Sequence, residues 1–178
     1  MAPAVALGGT SRFTVADRGR APIADRSLAA ATSAGVHRQL GKHDQAKSLD
    51  ERALSLSDGG AEASFDSTLG LAADLLGLDD AVSDASYLEQ GAALAANRAE
   101  WWRQRIELAW VRAEIALATG DPEAAAATLT PAIASAEVSG APRYVAKSLL
   151  FLGVSQVQGG ELAEATATLR RAATLAES

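Results

Sequence analysis

A short phrase that recurs four times along the chain constrains its fold more than any other feature. In each copy a glycine is followed by a short polar turn and then by alanine, at residues 40–46, 76–81, 119–125 and 159–165. The glycines at 41, 77, 120 and 160 lie 36, 43 and 40 residues apart. A period of this length indicates a chain built from repeated supersecondary units.

The chemistry of the phrase predicts the turn of a helical hairpin. Glycine closes a helix because it lacks the Cβ that clashes in the left-handed conformation. Asp121, Pro122 and Glu123 show how the next helix begins, with an N-cap, a proline at the first helical position and a carboxylate in the first turn. Alanines then recur seven residues apart, as at Ala125 and Ala132, so they share the face on which two helices cross.

The composition of the chain supports an all-α protein. Alanine, the strongest helix former, supplies 42 of the 178 residues, whereas aromatic residues make up 4%. A chain with few large side chains packs through many short contacts, which stacked helical hairpins provide. Because no segment alternates with a period of two for long enough to pair as a strand, we expect no β-sheet.

The four units resemble the tetratricopeptide repeat family. The fourth unit carries the family pattern most fully, with Leu152-Gly153, Gly160, Ala165, Leu169 and Ala172. The resemblance covers residues 27–178 and implies a right-handed α-α superhelix of four helix-turn-helix repeats, whose first helices line a concave groove. Two features depart from the family. The period is near 40 residues rather than about 34, and Asp50 stands where the first unit should have a large apolar residue.

Helical periodicity and turn signals divide the chain into a loose N-terminal arm, residues 1–26, and a repeat domain, residues 27–178. Four helix pairs are predicted: 27–40 with 44–56, 61–76 with 79–96, 99–119 with 122–138, and 143–158 with 162–177. Pro131 should bend its helix, because its ring clashes with a carbonyl of the preceding turn. Gly91 should interrupt the second helix of the second pair.

Charge and cysteine content exclude several classes of function. The chain has no cysteine, so it has neither disulfides nor thiolate chemistry. Its net charge is −6, and residues 41–99 carry eleven acidic against four basic side chains, which disfavours nucleic acid as a ligand of the repeats. The first residues lack the pattern of a signal peptide, and no apolar run is long enough to span a membrane. We therefore expect a soluble, cytoplasmic protein.

The sequence shows no pattern of catalytic or metal-binding residues. His37 and His43 are its two histidines, and Asp44 is the one evident further ligand nearby, so both are interpreted as packing residues. Asp79 and Asp80 are paired carboxylates, but their position at a predicted helix start explains them through the helix dipole. The chain has no phosphate-binding glycine loop, GxSxG or HExxH motif. We predict a protein that is not an enzyme and holds no cofactor or metal.

The three tryptophans, Trp101, Trp102 and Trp110, lie within ten positions of one another and beside two arginines. Tryptophan and arginine are enriched at binding hot spots, so this segment is the strongest candidate for a binding surface. Trp102 shares helical spacing with Ile106 and is interpreted as part of the core. For Trp110 two interpretations stay open, contact with a ligand or a place in the packed interior.

The register of the tetratricopeptide repeat implies which side chains face the concave groove in the third and fourth units. These are Glu107, Trp110, Glu114, Leu117, Lys147, Leu150, Val154 and Val157. They suit a peptide or protein segment that places an apolar anchor against Trp110 and a basic group near Glu107 or Glu114. One lysine beside two glutamates does not suit a phosphate. We therefore predict a module that binds a peptide or protein segment in its groove, and that binds neither nucleic acid nor a membrane.

Two other functions stay open. The long period also resembles the helical arrays of bacterial signal-transduction regulators, and 13 arginines against 3 lysines are typical of a bacterial genome rich in G and C. The chain would then be the sensing part of a regulator. The other alternative is an oligomerisation scaffold. The last predicted helix carries an apolar stripe, Ala165, Leu169, Ala172 and Ala176, whereas repeat arrays end in a polar capping helix. The stripe therefore predicts that this end is covered, either by sequence beyond Ser178 or by a second copy in a homodimer through the C-terminal helix.

Overall fold

A computed structural model describes residues 22–57, 60–78, 81–98 and 100–177. These residues form eight α-helices and no strand, so the predicted all-α class is confirmed. In chain order the helices are α1 Ile23–Gln39, α2 His43–Leu56, α3 Ala61–Gly77, α4 Ala81–Ala96, α5 Trp102–Ala118, α6 Pro122–Val138, α7 Pro142–Gln158 and α8 Leu162–Ala176. Within the described segments no helix has both the length and the hydrophobicity to cross a membrane.

Each helix packs against the next one in the chain, which gives four consecutive hairpins: α1–α2, α3–α4, α5–α6 and α7–α8. The first helices of the hairpins also contact one another, α1 with α3, α3 with α5, and α5 with α7. The second helices make no such contacts with one another in the part of the chain that the structure describes. The first helices therefore lie side by side and share one surface.

Glycines in the left-handed conformation follow four of the helices, with φ of +69° at Gly41, +79° at Gly120, +62° at Gly140 and +81° at Gly160. After α5 the amide of Asp121 donates to the carbonyl of Ala116 at 2.8 Å, which closes a Schellman turn. The carboxylate of Asp121 then accepts from the amide of Ala124 at 2.9 Å. The predicted N-cap of α6 is therefore confirmed.

Gly77 does not close its helix in the left-handed conformation, so this part of the prediction is wrong. It is the last residue of α3, and its φ is not positive. The ring of His43 packs directly against it, and a Cβ at Gly77 would stand 2.6 Å from three atoms of that ring. The contact between the first two hairpins, rather than the turn, requires the small residue.

The starts of α1 and α5 differ from the prediction by three residues or more, and a predicted break in α4 is not found. α1 begins at Ile23, so residues 23–26 are helical rather than part of an arm, and residues 1–21 lie outside the described residues. α5 begins at Trp102, three residues later than predicted. Gly91 does not interrupt α4, because packing against α3 and α5 outweighs its low helix propensity. Pro131 lies inside α6, which runs on to Val138.

Two clusters of buried side chains form the core. The larger one joins the third and fourth hairpins and contains Ile106, Leu129, Ile133 and Leu149, with Trp102 packed against it as predicted. The smaller one joins α3, α4 and α5 around Phe65 and Leu108. Because α5 contributes to both clusters, it holds the second and third hairpins in register.

Most of the apolar stripe of α8 is covered within its own hairpin, and the homodimer through the C-terminal helix stays a prediction. Ala165 and Ala172 are buried, and Leu169 packs against Gly153 of α7. A Cβ at Gly153 would stand 2.6 Å from Cγ of Leu169. Of the four residues in the stripe, Ala176 is the exposed one.

Candidate ligand-binding groove

A groove of about 870 Å³ lies on the surface that the first helices share. Residues of α1, α3 and α5 form most of its lining, and Tyr144 and Lys147 extend it onto α7. Its charged lining comprises five carboxylates, those of Asp50, Glu62, Asp66, Glu107 and Glu114, and three cationic side chains, those of Arg38, Arg103 and Lys147. The groove is therefore acidic as well as concave.

α1 and α3 supply most of the aliphatic side chains in the lining. Leu28 is 61% exposed and lines the groove together with Leu69 and Leu76. Gly35 leaves the surface of α1 bare, since a Cβ built there would have no atom within 4 Å. A glycine inside a helix costs about 1 kcal/mol relative to alanine, and no contact of Gly35 within the described residues accounts for that cost. This part of the groove has room for an aliphatic side chain.

The carboxylates on α3 and α5 differ in their hydrogen bonding. Glu62 accepts from Nε2 of Gln104 at 3.0 Å, and Glu107 accepts from the hydroxyl of Tyr144 at 3.0 Å. Asp66 and Glu114 have no hydrogen-bond or ion-pair partner among the described residues. Two carboxylates on the wall of the groove are thus available to a ligand.

Withdrawal from water alters the acidity of these groups. The pKa of Asp66 is raised to about 6, first by desolvation in the groove and then by the nearby charges of Glu107 and Glu62. Burial also raises the pKa of Glu107, although the hydrogen bond from Tyr144 lowers it in part. Burial raises the pKa of Glu114 in the same way, and the positive charge of Lys147 opposes that shift. A cationic group in the groove would stabilise the ionised form of each carboxylate.

Trp110 is held between α5 and α7 and is 9% exposed. Its ring stacks on that of Tyr144 with centroids 5.3 Å apart, and its Nε1 donates to Oγ of Ser148 at 2.8 Å. The ammonium of Lys147 lies 4.1 Å from the centre of the tryptophan ring, which is a cation–π contact. Trp110 therefore lines the groove with one edge, while most of its surface is part of the interior.

A buried network of charged groups joins the first two hairpins beside the groove. Nε and Nη2 of Arg38 donate to the two carboxylate oxygens of Asp74 at 2.8 and 3.1 Å, and Nη2 also donates to Asp50. Nδ1 of His43 lies 3.3 Å from Asp74. Both carboxylates are almost completely buried, whereas Arg38 reaches the groove. Gly70 leaves room for the network, because a Cβ there would stand 2.6 Å from Nη2 of Arg38.

The sequence interpretation missed this network, although one signal for it was present. Asp50 stands where the resemblance to the tetratricopeptide repeat predicts a large apolar residue, and a buried carboxylate requires a nearby cation. Burial raises the pKa of Asp50 to about 7, the charge of Arg38 opposes that shift, and the charge of Asp74 adds to it. His43 packs on Gly77, as the packing interpretation predicted, but it also contacts Asp74.

The structure brings together half of the predicted groove residues. Glu107, Trp110, Glu114 and Lys147 line the groove. Leu117 is partly buried against the larger core cluster, and Leu150, Val154 and Val157 lie exposed on α7 outside the groove. The groove is shifted towards the N-terminus, because α1 and α3 supply much of its lining. Asp79 and Asp80 lie outside the described residues.

Comparison with known proteins identifies no family for this chain. No model of a protein family matches the sequence. No curated protein matches it either.

Proposed function

We propose that this chain is a non-catalytic binding module of the tetratricopeptide type, a right-handed superhelix of helical hairpins that holds a peptide or protein segment in its concave groove. Two observations support the architecture: the hairpins follow one another in space, and their first helices share one surface. Adjacent first helices create an extended concavity of the kind that repeat proteins use for binding.

The ligand we propose is a basic segment. The observation that carries this proposal is the pair of unpaired carboxylates, Asp66 and Glu114, in a groove where acidic side chains outnumber basic ones. Of the three cations in the lining, Arg38 is already bound by Asp50 and Asp74. A lysine or arginine of the ligand would stabilise the ionised form of Asp66 against the two effects that raise its pKa, first desolvation and then repulsion by Glu107 and Glu62. The carboxylates of the groove would repel a phosphate or a nucleic acid, because these ligands are negatively charged.

The apolar anchor of the ligand belongs between α1 and α3 rather than against Trp110. Leu28 is the most exposed aliphatic side chain in the lining, and Gly35 leaves open space on the same helix. Trp110 offers little free surface, because Tyr144, Ser148 and Lys147 surround it. The ligand would thus place a leucine or isoleucine beside Leu28 and Gly35 of α1, and basic groups near Asp66 of α3 and Glu114 of α5.

Fluorescence anisotropy with two labelled peptides tests the proposal. The peptides are equal in length and each contains leucines, but one carries lysines where the other carries glutamates. We expect saturable binding of the lysine peptide, little binding of the glutamate peptide, and an affinity that falls as salt rises. The double variant Asp66→Asn, Glu114→Gln should weaken binding about tenfold, the effect of about 1.4 kcal/mol.

Glu89→Gln is the matched control, because it removes an exposed carboxylate of α4 that does not line the groove. Its affinity for the lysine peptide should equal that of the unaltered chain. Circular dichroism of each variant confirms that the fold is retained. Equal binding of both peptides, or an equal loss of binding in the control and the double variant, would refute a basic ligand in this groove.

A further inference from the structure

An apolar surface lies at the C-terminal end of the row of first helices. Leu150, Val154 and Val157 of α7 are 52%, 39% and 48% exposed, although they lie on one side of a helix that is otherwise well packed. Ala173 and Ala176 of α8 are also exposed. We call these five residues the end surface. In the described structure no helix covers it.

The preceding hairpin shows what covers the corresponding positions. The third and fourth hairpins are related by a shift of 40 residues, as Gly120 and Gly160 show. This shift relates Trp110 to Leu150 and Leu117 to Val157. Trp110 is buried and Leu117 is partly buried, both in the cluster to which α7 contributes Val145 and Leu149.

The second helices show the same difference. Ile133 and Ala136 of α6 are 40 residues before Ala173 and Ala176 of α8. Ile133 and Ala136 are buried in the cluster that α7 completes, whereas their counterparts are exposed. At four of its five residues the end surface is therefore the continuation of an interface that already exists inside the chain, and the fifth, Val154, corresponds to Glu114 of the groove. Its complement is a helix that lies across α7 and α8 as α7 lies across α5 and α6.

The sequence of α7 itself is suited to be that helix. Leu150, Val154 and Val157 are spaced four and three residues apart, the seam that pairs two helices at a small crossing angle. Lys147 precedes the seam by one turn, and Glu161 follows α7 at its other end, both exposed. In an antiparallel pair of α7 helices, Lys147 of each copy would lie near Glu161 of the other. The pattern is complementary to itself, as a two-fold interface requires.

We propose that the end surface binds a second copy of this chain, with the two α7 helices antiparallel across a two-fold axis near Val154. This contact includes Ala176, the exposed residue of the α8 stripe, whereas Ala165 and Ala172 are buried and Leu169 packs against Gly153. The five residues of the end surface lie outside the groove, and Lys147 is the one side chain that both lines the groove and takes part in the proposed pairing. Pairing of the two copies requires no ligand in the groove.

Light scattering and disulfide trapping together test the proposal. The unaltered chain should have twice the mass of one 18.2 kDa chain. Val154→Glu should have the mass of one chain, and its circular dichroism should be unchanged because the side chain is already partly exposed. Val138→Glu is the control, since Val138 is 91% exposed on α6 and should leave the dimer intact.

The chain has no cysteine, so introduced thiols report directly on distance. Under mild oxidation Val154→Cys should form a covalent dimer much faster than Val138→Cys. A mixture of Leu150→Cys and Val157→Cys should form the mixed dimer faster than either variant forms a dimer with itself, because the helices are antiparallel. A single-chain mass at high concentration, or equal trapping of Val154→Cys and Val138→Cys, would overturn the proposal.

Discussion

The guanidinium of Arg38 donates two hydrogen bonds, of 2.8 and 3.1 Å, to the carboxylate of Asp74 across the junction of the first two hairpins. Asp74 has no exposed surface, so Arg38 supplies its compensating positive charge. Asp50 binds the same guanidinium from α2. One arginine thus joins α1, α2 and α3, and the contact between these two hairpins contains two buried carboxylates.

Asp74→Asn should destabilise the fold by about 3 kcal/mol, because breaking a buried ion pair leaves the other charge uncompensated. Urea unfolding followed by circular dichroism measures the change in the free energy of unfolding. Glu89→Gln, which alters an exposed carboxylate, should change it by less than about 0.5 kcal/mol. An equally small effect for Asp74→Asn would show that Asp74 contributes little to the junction.

The free energy of unfolding of Asp50→Asn should rise relative to that of the unaltered chain as pH increases from 5 to 8. The pKa of Asp50 is raised to about 7 in the folded state, chiefly by burial, whereas its ordinary value is 3.8. Between these two values the folded chain binds more protons than the unfolded chain, so stability falls as pH rises. Asparagine resembles the protonated form and removes this dependence. Urea unfolding at each pH measures the free energy of unfolding of both proteins. Parallel dependence of the two values on pH would contradict the prediction.

Trp110→Ala should lower the free energy of unfolding by about 3 to 5 kcal/mol, because most of the indole lies in the interior and its removal leaves a cavity. If the indole mainly contacted a ligand, the same substitution would weaken binding and would change the free energy of unfolding much less. Ser148→Ala should cost about 1 to 2 kcal/mol, since it leaves the indole N–H without its acceptor. Thermal and urea unfolding measure both. A small loss for Trp110→Ala would mean that the ring is mobile and open to the groove.

Alanine at Gly70 and at Gly35 should have opposite effects on stability. At Gly70 the new methyl group would collide with Arg38 and Asp50, and we expect a loss above about 2 kcal/mol. At Gly35 it would meet nothing and should stabilise α1 by about 0.5 to 1 kcal/mol. Both glycines lie inside first helices of hairpins, so each serves as the control for the other. Similar effects of the two substitutions would contradict the packing described here.

Valine at Gly160 should destabilise the last hairpin by about 1 kcal/mol or more, because a β-branched residue resists a φ of +81°. Gly159 precedes it with a φ of −75°, which any residue adopts, so Gly159→Ala should be neutral or slightly stabilising. Differential scanning calorimetry of the two variants measures the contrast. Equal melting temperatures would show that the left-handed turn after α7 contributes little.

The sequence by itself determined the helical hairpins and the positions of most turns. The signals that end and begin helices act through neighbouring residues of the backbone. Gly120 and Asp121 therefore end one helix and begin the next whatever the rest of the chain does. The burial of Ala125 and Ala132 follows from their seven-residue spacing for the same local reason. The resemblance likewise placed Glu107 and Glu114 on the surface of α5 that lines the groove.

Tertiary structure decided which of these surfaces became the groove and which charges it contains. Arg38 and Asp74 are 36 residues apart, and no local rule of helix geometry relates two such positions. Trp110 is buried and Leu150 is exposed at the same place in the repeat, because α7 covers one and the described chain leaves the other uncovered. Helical periodicity predicts on which face of its helix a residue lies. Which other helix packs against that face depends on how successive hairpins stack.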